Sequence, residues 1–130
     1  MVQVDYATFE QFVDEGIAAI PEEFRRQFNN LSFDIQDLPS AEQTQKLNLR
    51  TDHSLFGLYE GVPLLMRGGN YSFVLPDRIT IFKRPIEYFA QSVEQLREIV
   101  INTVWHEVGH HLGMNEEQVR AAERKRGHKY

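Results

Sequence analysis

Apolar positions near the start of the chain fall at three- and four-residue steps: Phe9, Phe12, Val13, Ile17 and Ile20. That spacing predicts an amphipathic helix opening at about Ala7, with Asp5 or Thr8 as its N-cap. Gly16 weakens its middle. Pro21 suits a first helical position, and Glu22 and Glu23 complement the dipole of a first turn. Phe24 and Phe28 lie four apart and carry this second, short helix to about Phe28, where Asn29-Asn30 closes it. Strict alternation over Leu31-Ser32-Phe33-Asp34-Ile35-Gln36 then predicts a half-buried strand. Asp37 to Thr51 is polar and reads as loop with at most a helical turn. Leu55 to Tyr59 predicts a second strand, halted by Gly61 and Pro63, and Arg67 to Asn70 a turn. Arg78 to Lys83 is β-branched and aromatic, a third strand. Its Ile79-Thr80-Ile81-Phe82 reads either as an ordinary core strand or as a sheet edge able to pair with an extended peptide. Pro85 stops that strand and opens a short helix through Phe89.

The strongest periodicity comes last. Ser92 and Gln95 have capping-box spacing, with Gln95 placed to reach back from the third helical position. Beyond them Leu96, Ile99, Val100, Val104, Val108 and Leu112 keep helical steps, and Ile101 and Trp105 widen the apolar surface. This predicts a long central helix buried on most sides. Gly113 is a natural C-terminal stop. Asn115 begins a final helix with Gln118 at its third position, and its basic face, Arg120 to Lys129, reads as solvated.

The chemistry sits on the long helix. His106 and His110 are four apart, one turn apart on one face, so their imidazoles can converge on a single ion. Glu107 lies about 100° around the helix, near that face without occupying a coordination position. A carboxylate there can take a proton from water on the ion, which is the logic of HExxH. Chance alone places HExxH in roughly 0.5% of chains this long, and a later glycine and acid make the longer string rarer still. A catalytic zinc site needs a third protein ligand. Gly113 can take the positive φ that turns the chain back, and three residues on stands Glu116, which completes HExxHxxGxxE. Glu116 also has a bland reading, as does Glu117 beside it: an acid after the Asn115 cap stabilises a helix start. His111 reads as structural or solvated, with a place in the cleft as the alternative. Gly109 inside a helix implies close packing or a substrate path. Tyr59 and His53 are candidate donors to a transition state, but no spacing aims them at the metal.

Composition narrows the classes. The 130 residues fit one domain, 1–130. Fourteen Lys and Arg against nineteen Asp and Glu give a net charge of −5, a poor match for nucleic acid. No cysteine is present, which removes disulfides, thiolate metal sites and cysteine nucleophiles. No stretch approaches the roughly 20 apolar residues of a membrane span, and the first residues lack the basic, then apolar, order of a secretory signal. These readings lead to an expectation of a cytoplasmic protein without nucleic-acid or membrane partners. No residue pattern specifies an oligomeric state.

The segments Leu55 to Pro63, Leu75 to Phe82 and His106 to Glu116 together resemble the small bacterial zincin-like metallopeptidases. The resemblance implies an α+β fold in which an active-site helix packs on a small sheet of three to four strands, with helices N-terminal to it. It implies one zinc ion held by His106, His110 and Glu116, with Glu107 catalytic and a peptide or unstructured protein as substrate. That family usually has Asp where this chain has Glu116. The alternative reading is a zincin-fold interaction or regulatory module with little turnover.

Overall fold

The structure is a computed structural model that describes residues 1–49, 55–61 and 77–125, with side chains at 116 and 122–125 left out of the description. Predicted features at His53, Arg67 to Asn70, Leu75-Pro76 and the basic positions beyond Arg120 lie outside the described residues or side chains.

The elements run α1 (Tyr6–Ala18), α2 (Glu22–Arg25), β1 (Leu31–Gln36), α3 (Ala41–Asn48), β2 (Gly57–Glu60), β3 (Asp77–Phe82), α4 (Lys83–Phe89), α5 (Val93–His111) and α6 (Glu116–Lys125). The fold is α+β. Asp5 caps α1, its carboxylate accepting from the Thr8 N–H at 2.8 Å. Pro21 stands one residue before α2, as its N-cap.

Two expectations are corrected. The polar stretch after β1 contains a two-turn helix, α3, closed by a complete capping box: Ser40 Oγ accepts from Gln43 N–H at 3.1 Å, and Gln43 Oε1 accepts from Ser40 N–H at 2.9 Å. The reading of β3 as a sheet edge is also overturned. The strand order is β1-β3-β2, with β1 parallel and β2 antiparallel to β3, so β3 is central and both of its edges are hydrogen-bonded.

Register divides the sheet into two faces. Leu31, Phe33 and Ile35 align with Asp77, Ile79 and Ile81, which align in turn with Tyr59 and Gly57. Alternation puts these on one face, and α5 covers it. Ile79, Ile81, Ile99, Val100, Val104, Trp105 and Val108 form the core there, joined by Phe9, Phe12 and Val13 of α1. Burying a single such side chain contributes about 1.5–3 kcal/mol. The other face is smaller. Leu47 of α3 packs on Leu58 and Phe82, and a polar cluster of Asp34, Arg78, Glu60, Lys46 and Gln43 surrounds it.

Helix α5 begins as predicted at Ser92, whose Oγ accepts from Gln95 N–H at 3.0 Å. The Gln95 side chain reaches one residue further back than expected and accepts from Gln91 N–H at 2.7 Å. The other end is a Schellman motif. Gly113 has φ 83°, its N–H donates to His110 O, and Met114 N–H donates to Gly109 O. A residue with a Cβ pays roughly 1–2 kcal/mol at such a φ, so the reversal just after His110 depends on glycine.

Candidate metal centre

Two interleaved pairs of side chains leave the last turns of α5. His106 and His110 project towards the surface and are half-buried, their rings 5.1 Å apart between centroids and edge to face at 74°. Glu107 and His111, also four apart, project towards the sheet and are fully buried. The helical period alone separates the pairs by about 100°. Donor atoms of His106, Glu107 and His110 all lie within 4.8 Å of one another. That span is close to twice a metal–ligand bond of about 2.0–2.2 Å. Two imidazoles are ligands that a borderline-soft divalent ion accepts, and the Glu107 carboxylate lies within reach of the same point. The residues present therefore fit a zinc ion.

Glu107 is held from the sheet side. Its Oε1 accepts the Tyr59 N–H at 2.9 Å. Strand β2 approaches α5 so closely that a Cβ at Gly57 would lie 2.7 Å from Thr103 Cγ2 and 3.3 Å from Glu107 Cγ. Only a residue without a side chain lets the strand reach Glu107 in this way.

His111 is structural in its surroundings. Its Nδ1 lies 3.0 Å from Asp77 Oδ2, and its Nε2 accepts from Asn29 N–H at 3.3 Å. Phe28 and Tyr59 pack edge-on against its ring at 6.1 and 5.7 Å. The Tyr59 phenol, read from sequence as a possible transition-state donor, donates to Asp77 Oδ2 at 2.5 Å. Gly109 is explained by packing, because a Cβ there would meet Val119 Cγ2 of α6 at 2.6 Å. Trp105 is core, edge to face with Phe24 at 5.6 Å.

Helix α6 starts at Glu116 and is capped reciprocally by Asn115 and Gln118, each accepting the other's backbone N–H at 2.8 Å. The Glu116 side chain lies outside the described side chains, and Glu117 is exposed. Asp77 lies in the Leu75 to Phe82 segment of the resemblance, but the sequence assigned it no role. Its available signal was an acid directly before the alternating run Arg78-Ile79-Thr80-Ile81-Phe82, a carboxylate that needs partners if the strand start is buried.

Among the described residues no helix is long and apolar enough to cross a membrane. The profile of the family described as zincin-like metallopeptidase matches residues 28–126. That stretch takes in the whole sheet, the long helix and the HExxHxxGxxE string, so the chain belongs to the zincin-like metallopeptidases, a family of metal-dependent peptidases that implies zinc. Comparison with the curated proteins finds no match.

Proposed function

We propose that this protein is a zinc-dependent peptidase, with His106, His110 and Glu116 as metal ligands and Glu107 as the general base. The observation that carries the reading is the convergence of the His106, Glu107 and His110 donors within 4.8 Å, combined with the backbone hydrogen bond that fixes one oxygen of Glu107. A structural zinc site fills its fourth position and has no use for a base beside the ligands.

When bound, zinc supplies a Lewis acid that polarises a carbonyl and makes water nucleophilic near neutral pH. The chain's own residues do the rest. His106 and His110 are carried on one rigid helix, which fixes their separation. Glu107 takes a proton from water at its carboxylate as that water's oxygen bonds to the peptide carbonyl carbon, and returns it to the amine as the C–N bond breaks. The Tyr59 N–H on Oε1 restrains that carboxylate from the sheet side. The substrate class is a short or unstructured peptide.

The test is hydrolysis of a diverse peptide library by zinc-loaded protein, wild type against Glu107→Ala, with zinc content measured in both. Cleavage by wild type alone at equal zinc content supports the assignment. No cleavage by either, with zinc bound, would assign the fold to an interaction module instead.

A further inference from the structure

We propose that Tyr59, Asp77 and His111 are positioning residues that close a ring of hydrogen bonds on the side of α5 facing away from the metal ligands, and that this ring sets the position of the Glu107 carboxylate. The proposal rests on the reading of Glu107 as the base.

Tyr59 makes two bonds in different directions. In the antiparallel pair, Phe82 N–H donates to Phe56 O, and Phe82 lies opposite Phe56 in the continued register of Gly57 with Ile81. Amides that face a partner strand alternate along such a pair. Positions 56, 58 and 60 therefore face β3, and the Tyr59 N–H lies on the outer edge of β2. There it meets Glu107 Oε1 at 2.9 Å. The ladder with β3 bonds the flanking positions 58 and 60 and leaves this amide to Glu107, so its alignment on Oε1 depends also on what anchors the Tyr59 side chain. The anchor is the phenol, which donates to Asp77 Oδ2 at 2.5 Å.

His111 closes the ring. A backbone amide can only donate, so the Asn29 N–H on Nε2 makes that nitrogen an acceptor and places the ring proton on Nδ1. His111 Nδ1–H then donates to the same Asp77 Oδ2 at 3.0 Å. His111 stands one helical turn beyond Glu107, on the same face of α5. The circuit runs Glu107 Oε1, Tyr59 N–H, Tyr59 O–H, Asp77, His111, and back through one turn of helix to Glu107. Asp77 is 1% exposed and His111 and Glu107 are fully buried, so water does not compete for the His111–Asp77 bond, and the two bonds of half-buried Tyr59 each end on a buried carboxylate. Three elements, β2, β3 and α5, are each tied in by one member. A shift of β2 along α5 breaks the phenol contact and the Glu107 contact together.

Misplacing a catalytic group by about 1 Å can cost 100-fold in rate. The deciding variant is Tyr59→Phe, which removes one oxygen and keeps the ring packing on His111. In zinc-loaded protein the expected result is a kcat roughly 10- to 100-fold lower, with KM and zinc affinity unchanged. In zinc-free protein the amide at position 59 should exchange with solvent about 10-fold faster or more, while the Ile81 amide in β3 keeps its wild-type rate. Asp77→Asn combined with Tyr59→Phe should lower kcat little beyond the worse single variant, because both open the same ring. Unchanged kcat with unchanged exchange at position 59 overturns the proposal. So does a uniform loss of kcat, zinc affinity and protection at Ile81, which marks general loosening of the fold. Should the wild type cleave nothing, the peptidase reading fails, and exchange at position 59 still decides the ring: acceleration confined to that amide upholds it, and no change refutes it.

Discussion

Gly109 of α5 and Val119 of α6 touch so closely that one methyl group on the glycine would overlap the valine, at 2.6 Å from its Cγ2. The contact seats α6 against α5 one residue before His110, and α6 opens at Glu116. A substitution here pits two effects against each other. Alanine is favoured over glycine inside a helix by about 1 kcal/mol, whereas overpacking a tight contact costs about 1–3 kcal/mol. Gly109→Ala is expected to be net destabilising and to weaken zinc binding by displacing α6. Trimming the partner, in Gly109→Ala/Val119→Ala, should recover most of the zinc affinity. Denaturant midpoints and zinc titrations check both outcomes.

Glu107→Gln keeps an oxygen able to accept the Tyr59 N–H and removes the proton acceptor. Peptide hydrolysis is expected to fall about 10²- to 10⁴-fold at unchanged zinc content, and the thermal midpoint should stay near wild type. Loss of zinc together with activity would instead make Glu107 a ligand, a possibility its place among the three donors makes worth measuring.

Removing metal with a chelator should abolish hydrolysis without unfolding α5. Ile99, Val100, Val104 and Val108 hold that helix in the core independently of the histidines. The helical circular dichroism should persist, and the midpoint should rise when zinc returns. At a thousandfold excess over Kd the added stability is about 4 kcal/mol. A metal-free protein that is unfolded would contradict this.

Glu60, on the other face of the sheet, gives a pH prediction. Burial disfavours its charge, but hydrogen bonds from Lys46, Arg78 and Gln43 outweigh burial, and the carboxyl is held down from 4.5 to about 2. A folded value below the unfolded one stabilises the protein fully above about pH 4.5, and that contribution is lost as pH falls through about 2. Glu60→Gln should therefore be less stable than wild type at neutral pH, and the gap should close on acidification across that window. Urea denaturation at stepped pH measures it.

Where local chemistry decides structure, the sequence was readable. Alternation marked β1, helical steps marked α1 and α5, and Gly113 and Asn115 marked the break between α5 and α6. The HExxH spacing placed His106, Glu107 and His110 together because four residues on a helix guarantee proximity. Helix α3 escaped because it buries little beyond Gln43 and Leu47 and shows no apolar stripe, although Ser40 and Gln43 carried the same capping signal that marked Ser92 and Gln95. The central place of β3 depends on strand order, which no local pattern contains. Tyr59, Asp77 and His111 come from three separate segments, so their meeting is a property of the assembled sheet and helix. Tyr59 and His111 were each singled out by residue type, and only the assembled fold brings them onto Asp77.

Twelve of the nineteen residues of α5 are buried, from Leu96 to His111. The helix that carries the HExxH residues is thus also the main support of the molecule, and most of its positions are buried in the core. On the proposed peptidase reading, selectivity is therefore expected to lie in the segments that border this helix, because a change at any of its buried positions costs packing first.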